Sequence, residues 1–338
     1  SQADVRLAGW ALEAGVYGED PLRDFLPTTG RLVRYIAPCG DAGVRVDAGF
    51  EEGSEVSMYY DPLIAKVVTW GNDRTQAIDR MSARHDQYTI RGVTHNIGFL
   101  NALVLHPRFR AGALSTDLIA DEFPQGLRGI DVAPADVALF VVTAAVLNRR
   151  CLERASAIAR QLPGLARRVR NDYVVIIGDE HHPVEVAPLN GGYEVTCGSE
   201  RFRVATDWRI GAPRVDIEIN ARRLYFQLDR VGVRLRLGHR GAQVDALVCS
   251  PRAAALGRRM LAKPAVDSAK LLLSPMPGLL VRLAVKPGQE VKATEEICVI
   301  EAMKMENRLC APRDVTIKAI LVDQGSSVVV DQPIVEFE

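Results

Sequence analysis

The chain has 338 residues, 48% hydrophobic and 25% charged, a globular balance with room for two or three domains. Its 42 basic and 42 acidic residues cancel, so nothing favours nucleic acid or another polyanion, and the preference for Arg over Lys reads as genome composition. The longest apolar run, residues 137–147, is far short of the roughly 18 residues that cross a bilayer, so no membrane span is expected.

The N-terminus, Ser1-Gln2-Ala3-Asp4-Val5, is neither a signal nor an Arg-rich transit peptide and lacks methionine, so the chain is expected to begin inside something longer. Residues 1–130 mix short strands (7–17, 30–36, 44–50 and 63–70) with helices, an α+β pattern of an antiparallel sheet with helices to one side. One helix starts at Asp73, whose carboxylate can cap it while Gln76 completes a capping box, and it carries Ala77, Ile78, Met81 and Tyr88 inward. Two more are predicted over 94–105 and 115–122.

Residues 134–250 form a second unit. Pro134 opens a long helical segment to about residue 161, and its first half is apolar on every side, as a helix inside something else must be. Eight short alternating runs follow, at 173–177, 183–187, 193–197, 202–206, 215–219, 222–228, 233–237 and 243–248. Eight strands suffice to close a barrel around the helix. His181, His182 and Cys197 show no ligand spacing, and no metal is expected. The cysteines at 39, 151, 197, 249, 298 and 310 include no C-x-x-C pair, which points to a reducing compartment without a zinc or disulfide framework. Residues 251–271, rich in Ala, Pro and Arg, read as a tether.

Residues 272–338 contain a repeat. Val285, Gly288 and Val291 recur as Val322, Gly325 and Val328, and Ile297 as Ile334, each offset by 37 (322−285, 325−288, 328−291, 334−297). Two such halves predict a flattened two-fold β-barrel joined at an exposed hairpin, Glu301-Ala302-Met303-Lys304-Met305-Glu306-Asn307, with one lysine at its tip. By itself an M-K-M triplet is a solvated lysine between core-filling methionines; the repeat around it lifts it out of that reading.

From Ser274-Pro275-Met276-Pro277-Gly278 onward the chain resembles a biotin carboxyl carrier domain, through Ala302-Met303-Lys304-Met305. The resemblance implies biotin joined covalently to Lys304, with the two methionines favouring biotin over lipoate. Residues 1–130 resemble the C-terminal part of a biotin carboxylase domain, through Gly18-Glu19-Asp20-Pro21, Phe25-Leu26-Pro27, Gly43-Val44-Arg45-Val46-Asp47, Tyr59-Tyr60-Asp61-Pro62-Leu63-Ile64-Ala65-Lys66 and Arg91-Gly92-Val93-Thr94-His95-Asn96. In that family the arginine matching Arg45 lies beside the ureido ring of biotin and stabilises its enolate, a role suited to a permanently charged donor fork. Gly15 stands where the family has an arginine, and the ATP-grasp portion that binds ATP and Mg²⁺ and activates bicarbonate is absent. A helix ringed by an eight-stranded barrel resembles the domain that joins carboxylase to carrier in propionyl-CoA carboxylase and its relatives. There it docks onto the carboxyltransferase subunit; Arg167, Arg168 and Arg170 read first as a solvated basic loop, and as the functional alternative they lie where the family has its docking hook.

Together these resemblances imply part of the α subunit of a biotin-dependent acyl-CoA carboxylase, a ligase, most like the propionyl-CoA enzyme. The implied partners are a carboxyltransferase β subunit, the acyl-CoA it binds, and biotin protein ligase, in a hetero-oligomer of the bacterial cytoplasm or the mitochondrial matrix, the former favoured. The alternatives are a methylcrotonyl- or acetyl-CoA-type subunit and a non-enzymatic biotinylated scaffold. The carrier of a sodium-pumping decarboxylase is disfavoured by residues 1–130.

Overall fold

A computed structural model describes residues 2–4, 6–38, 42–57, 59–123, 132–159, 168–260, 270–302 and 305–338. In the first unit Leu63–Gly71 is the central strand, flanked antiparallel by Trp10–Tyr17 and by Val44–Ala48. Its side chains alternate as a half-buried strand requires: Ala65, Val67 and Thr69 are at most 2% exposed, whereas Lys66 and Trp70 face outward. Helix Arg74–Gln87 covers the inner face with Ala77, Ile78 and Met81. Its cap differs from the expected box by one residue. Asp73 Oδ1 accepts from Gln76 N at 2.8 Å, but Gln76 Oε1 accepts from Asn72 N at 2.6 Å. Tyr88 is buried as expected, but as the extended residue that ends the helix, its hydroxyl bonded to that of Tyr35.

Several expected elements are shorter or divided: strand 7–17 begins at Trp10, strand 44–50 ends at Ala48, and the helix expected to reach about residue 161 ends at Ser156. The run at 30–36 splits into Gly30–Arg31, paired with Glu55–Val56, and Arg34–Ile36, paired with Thr89–Arg91. The switch falls at fully buried Leu32, whose N–H donates to Ser54 O while that of Val33 donates to Arg91 O. The helix expected from 94 begins at Ile97, because Asn96 is occupied elsewhere: its Oδ1 accepts from Tyr17 N at 3.0 Å and its Nδ2 donates to Gly15 O at 3.2 Å. The helix expected over 115–122 is reduced to Leu118–Glu122.

In the second unit helix Pro134–Ser156 has Pro at its first turn, where the missing N–H costs nothing, and Phe140 to Leu147 are buried around the whole circumference. Asp172–Ile177, Glu180–Leu189, Gly192–Cys197, Glu200–Thr206, Arg214–Ile219, Arg222–Val231, Arg234–His239 and Ala242–Cys249 pair in sequence order, and first pairs with last through Val174↔Cys249, closing the ring. The inward set, among them Val186, Val195, Val204, Ile217, Phe226 and Leu237, forms one cluster with the helix. Each fully buried Val, Leu or Phe contributes about 1.5–3 kcal/mol of burial. The helix is also held by Arg149, 6% exposed, which ion-pairs with Glu153 at 2.7 Å and donates to Arg170 O, Asn171 Oδ1 and Val186 O.

This unit meets the first through the end of helix Arg74–Gln87. The last carbonyls of any helix lack intrahelical donors, and here the barrel supplies them: Gln227 Nε2 to Asp86 O at 2.8 Å and Arg214 Nη1 to Gln87 O at 3.1 Å. The Asp86 carboxylate, buried, accepts from Asn101 Nδ2 and Arg240 N, both at 2.8 Å, and lies 3.0 Å from His239 Nδ1. Nδ1 also lies 2.9 Å from Tyr225 O, and with acceptors on both sides it must carry the proton. Arg91 adds a pair with Asp229 at 2.8 Å.

The carrier region holds two four-stranded sheets. Its strands are, in chain order, Leu271–Leu273, Gly278–Leu283, Glu290–Val291, Glu296–Ala302, Met305–Cys310, Val315–Ile320, Ser327–Val328 and Pro333–Phe337. One sheet runs first, eighth, sixth, third and the other fifth, fourth, second, seventh, so advancing each strand by four places turns one order into the other. Left-handed turn residues repeat at the same offset of 37: Gly288 (φ 81°) with Gly325 (φ 86°), and Thr294 (φ 71°) with Asp331 (φ 61°). Between barrel and carrier, Pro251–Gly257 is a short helix capped by Ser250, and 261–269 lie outside the described residues.

Candidate functional site

The hairpin at the join of the two halves is asymmetric. Its first strand is sealed, with Ile297, Cys298, Val299 and Ile300 at most 2% exposed, and burial pushes the Cys298 thiol up to about 12, leaving it unreactive. The second strand lies at a sheet edge and is half open. Gly278 lets the neighbouring strand approach, since a Cβ there would come 2.5 Å from Glu301 O. Pairing runs through Ile300↔Asn307 and Glu301↔Glu306 to Ala302↔Met305, which leaves two residues to make the connection. Those two, Met303 and Lys304, lie outside the described residues. Ala302 beside them is 8% exposed and Met305 57%, so one flank of the tip is anchored and the other faces outward.

Arg45 stands on the edge strand Val44–Ala48, its side chain 69% exposed and its Nε 3.1 Å from Asp47 Oδ2. Register places Asp47 beside Lys66 and Lys66 beside Gly15. The same outward face therefore carries the Lys66–Glu13 pair at 2.9 Å, and the hydrogen bond to Glu13 raises the Lys66 ammonium above its ordinary range. Gly15 leaves a gap that Tyr17 occupies: a Cβ on Gly15 would lie 2.7 Å from Tyr17 Cε2. Among the described residues Arg45 has Asp47 as its polar partner, and no hydrogen bond or ion pair joins it to the carrier.

Arg167 lies outside the described residues; Arg168 is exposed, and Arg170 is taken up by Asp172 through bonds of 2.8 and 2.6 Å. His181 and His182 sit on strand Glu180–Leu189, with His182 Nε2 3.4 Å from Glu180 Oε2. The polar seam at Asp86 and His239 was not legible in the sequence, because an acidic side chain at a helix end and a histidine at a strand end each read as solvated.

Three family descriptions match consecutive stretches: "Biotin carboxylase C-terminal domain" over residues 13–121, "Propionyl-coenzyme A carboxylase BT domain" over 140–263, and "Biotin-requiring enzyme" over 270–337. The propionyl-CoA carboxylase alpha chain of Ruegeria pomeroyi is 37% identical over 358 residues, covering 100% of this chain and 53% of its own length. The mitochondrial propionyl-CoA carboxylase alpha chain of Homo sapiens is 36% identical over 344 residues, covering 100% and 47%. The mitochondrial methylcrotonoyl-CoA carboxylase subunit alpha of Mus musculus is 30% identical over 358 residues, covering 100% and 48%. The chain thus spans about half the length of the curated relatives it matches. It carries, in order, a biotin carboxylase C-terminal domain, a propionyl-CoA carboxylase BT domain and a biotin-requiring-enzyme domain, and over its whole length it is similar to propionyl-CoA carboxylase alpha chains.

Proposed function

We propose that this chain is the biotin-carrying and subunit-docking portion of an acyl-CoA carboxylase α chain, with biotin on Lys304 and propionyl-CoA as the favoured acyl substrate. The observation that carries the reading is the hairpin, whose register ends at Ala302↔Met305 and leaves a two-residue connection containing one lysine. Such a tip suits an amide-linked group: the flanking residues fix the strand ends, and the edge strand stays open to a modifying ligase. Biotin, when bound, supplies the nitrogen that takes up a carboxyl group and passes it on. The sealed first strand fixes the pairing up to Ala302↔Met305, and Met305 gives the attached group an apolar exposed neighbour. Arg45, exposed and permanently charged, supplies a guanidinium that can hold an oxyanion where carboxylation takes place.

The units assigned are 1–130, carboxylase C-terminal part; 134–250, docking domain; 251–271, tether; and 272–338, carrier. The barrel is the surface for a carboxyltransferase β subunit, which holds the acyl-CoA. ATP, Mg²⁺ and bicarbonate are handled by a complete carboxylase domain, so this chain alone is expected to show no bicarbonate-dependent ATP cleavage. The higher identity to propionyl-CoA than to methylcrotonoyl-CoA carboxylase chains supports the substrate choice. The test is incubation with biotin protein ligase, biotin and ATP, followed by mass mapping. Label on Lys304 alone is expected, and Lys304→Arg takes none. Label on Lys286, Lys292 or Lys318 instead would overturn the assignment.

A further inference from the structure

Among the described residues the first unit touches the carrier at the turn between Asp20 and Thr29. Asp20 Oδ1 accepts from Leu22 N at 3.0 Å and caps the short helix Pro21–Arg23, and Asp20 Oδ2 also lies 3.6 Å from Arg23 Nε. The next two residues, Asp24 (φ 54°) and Phe25 (φ 57°), are both left-handed, and Phe25 is tied back by an edge-on contact with Phe99 at 4.8 Å. The result is an arginine held outward on a built turn. Arg23 Nη2 donates to both carboxylate oxygens of Asp331, at 2.9 and 3.0 Å, and Nη1 reaches Pro275 O at 3.5 Å. The receiving side is equally fixed, because Asp331 N donates to Ser274 O and Ser274 N to Gln332 O. Beside this pair Leu26 packs against the carrier's buried cluster, and Leu26, Pro27 and Thr29 face Pro277, Ala302 and Met305 across a small cleft.

Symmetry sharpens the observation. The carrier's two halves are related by the offset of 37, so the position equivalent to Asp331 is Thr294, with the same left-handed turn and no charge. Only the half that carries the aspartate can take the arginine fork, and that half meets the first unit. Ala302 and Met305 are also the residues that bracket Lys304.

We propose that the turn at residues 20–29 is a berth for the chain's own carrier, latched by Arg23 on Asp331 and plugged by Leu26, which holds the carrier hairpin, through Ala302 and Met305, against the first unit until the carrier is released. An exposed ion pair is weak, as a reversible latch must be, and the tether's high effective concentration lets a weak contact hold. The latch itself does not depend on what Lys304 carries; its consequence for labelling rests on the biotin reading above.

The experiment uses the whole chain, following the tumbling of carrier amides by ¹⁵N relaxation and the initial rate of biotin incorporation by the ligase. In the unaltered chain the carrier should tumble with the 37.0 kDa body. Arg23→Asp should raise the released fraction and the labelling rate together, by about 2- to 5-fold. The double reversal Arg23→Asp with Asp331→Arg should restore both, which separates a broken latch from a misfolded turn, and Leu26→Ala should release the carrier without altering any charge. A carrier that already tumbles freely, tumbling unchanged by Arg23→Asp, or docking that depends on protein concentration would overturn the berth. Absence of labelling in every variant, with the tumbling changes intact, would count against the biotin reading and leave the berth standing.

Discussion

Among the described residues the first unit meets the barrel and the carrier through contacts of opposite character. The barrel contact is assembled from groups that have left water: Asp86, Asn101 and His239 are each at most 8% exposed, and helix-end carbonyls are met by barrel donors. The carrier contact has one leucine and an ion pair whose side chains are 36% and 60% exposed. The difference follows from solvation. A buried carboxylate with its donors is costly to separate, because each group would be left unpaired during separation, whereas exposed charges exchange one partner for water at almost no cost. A permanent joint and a releasable one can thus be built on the same small sheet.

The largest effect should come from breaking the permanent joint. Asp86→Ala leaves Asn101 Nδ2 and Arg240 N without their acceptor and His239 Nδ1 with Tyr225 O alone, and removing one member of such a buried set costs about 3–5 kcal/mol. Urea unfolding followed by domain-specific probes should show the loss in the first-unit and barrel transitions, with the carrier transition unmoved. An equal loss in the carrier would mean that the two contacts are not separate.

Acid should distinguish them next. Burial pushes His85 down to about 3, and burial together with the nearby Arg91 charge pushes His95 to about 4. From about pH 7.5 upward neither the folded nor the unfolded histidine is appreciably protonated, and stability is flat in this respect. As pH falls below that, the unfolded chain takes up protons that the folded chain refuses. Stability therefore drops by about 1.4 kcal/mol per pH unit per histidine, until the folded values near 4 and 3 are reached. Between pH 6.5 and 5 the loss from His85 alone is about 2 kcal/mol. His85 is 1% exposed and neither of its ring nitrogens has a partner among the described residues, so His85→Leu should fold, hold or gain stability at pH 7, and flatten that slope. A variant as acid-sensitive as the parent would place the titration elsewhere.

A change inside the carrier provides the converse. Gly278→Ala sets a methyl 2.5 Å from Glu301 O and 2.6 Å from Ile300 Cγ2, and backbone cannot give way as a side-chain end can. Overpacking of this kind costs about 1–3 kcal/mol, expected in the carrier's thermal transition alone. A shift in the barrel's transition would show that the carrier contributes to the body's stability.

The features most legible in the sequence were those whose partners are near in the chain or repeated. The offset of 37 marked the carrier's two halves, and the apolar run through Phe140 and Leu147 foretold a buried helix, with an eight-strand ring after it. Lys304 stood out by motif, Arg45 only by resemblance. What could not be seen was pairing across long separations. Nothing in the alternation at 30–36 says that the chain changes partner at Leu32, and Asp86 and His239, 153 positions apart (239−86), each look solvated until the domains meet. Asn96 carried a family motif, but that its side chain would be spent on Tyr17 and Gly15, and so delay the next helix, depends on the sheet being present.

The smallest effect is expected at Arg45, and its smallness is informative. Arg45 belongs to neither joint: its partner Asp47 is two residues along the same strand and itself 50% exposed, a geometry worth a fraction of a kcal/mol in water. Arg45→Ala should therefore change unfolding free energy by less than about 0.5 kcal/mol and leave both carrier tumbling and Lys304 labelling as they were. If Arg45 were there to hold the sheet edge, losing it would open the pairing of Val44 and Val46 with Leu63–Gly71, and a loss above about 1 kcal/mol would follow. A null result in stability removes that structural explanation and leaves a guanidinium kept in water on an open face, which fits a group held ready for a developing oxyanion.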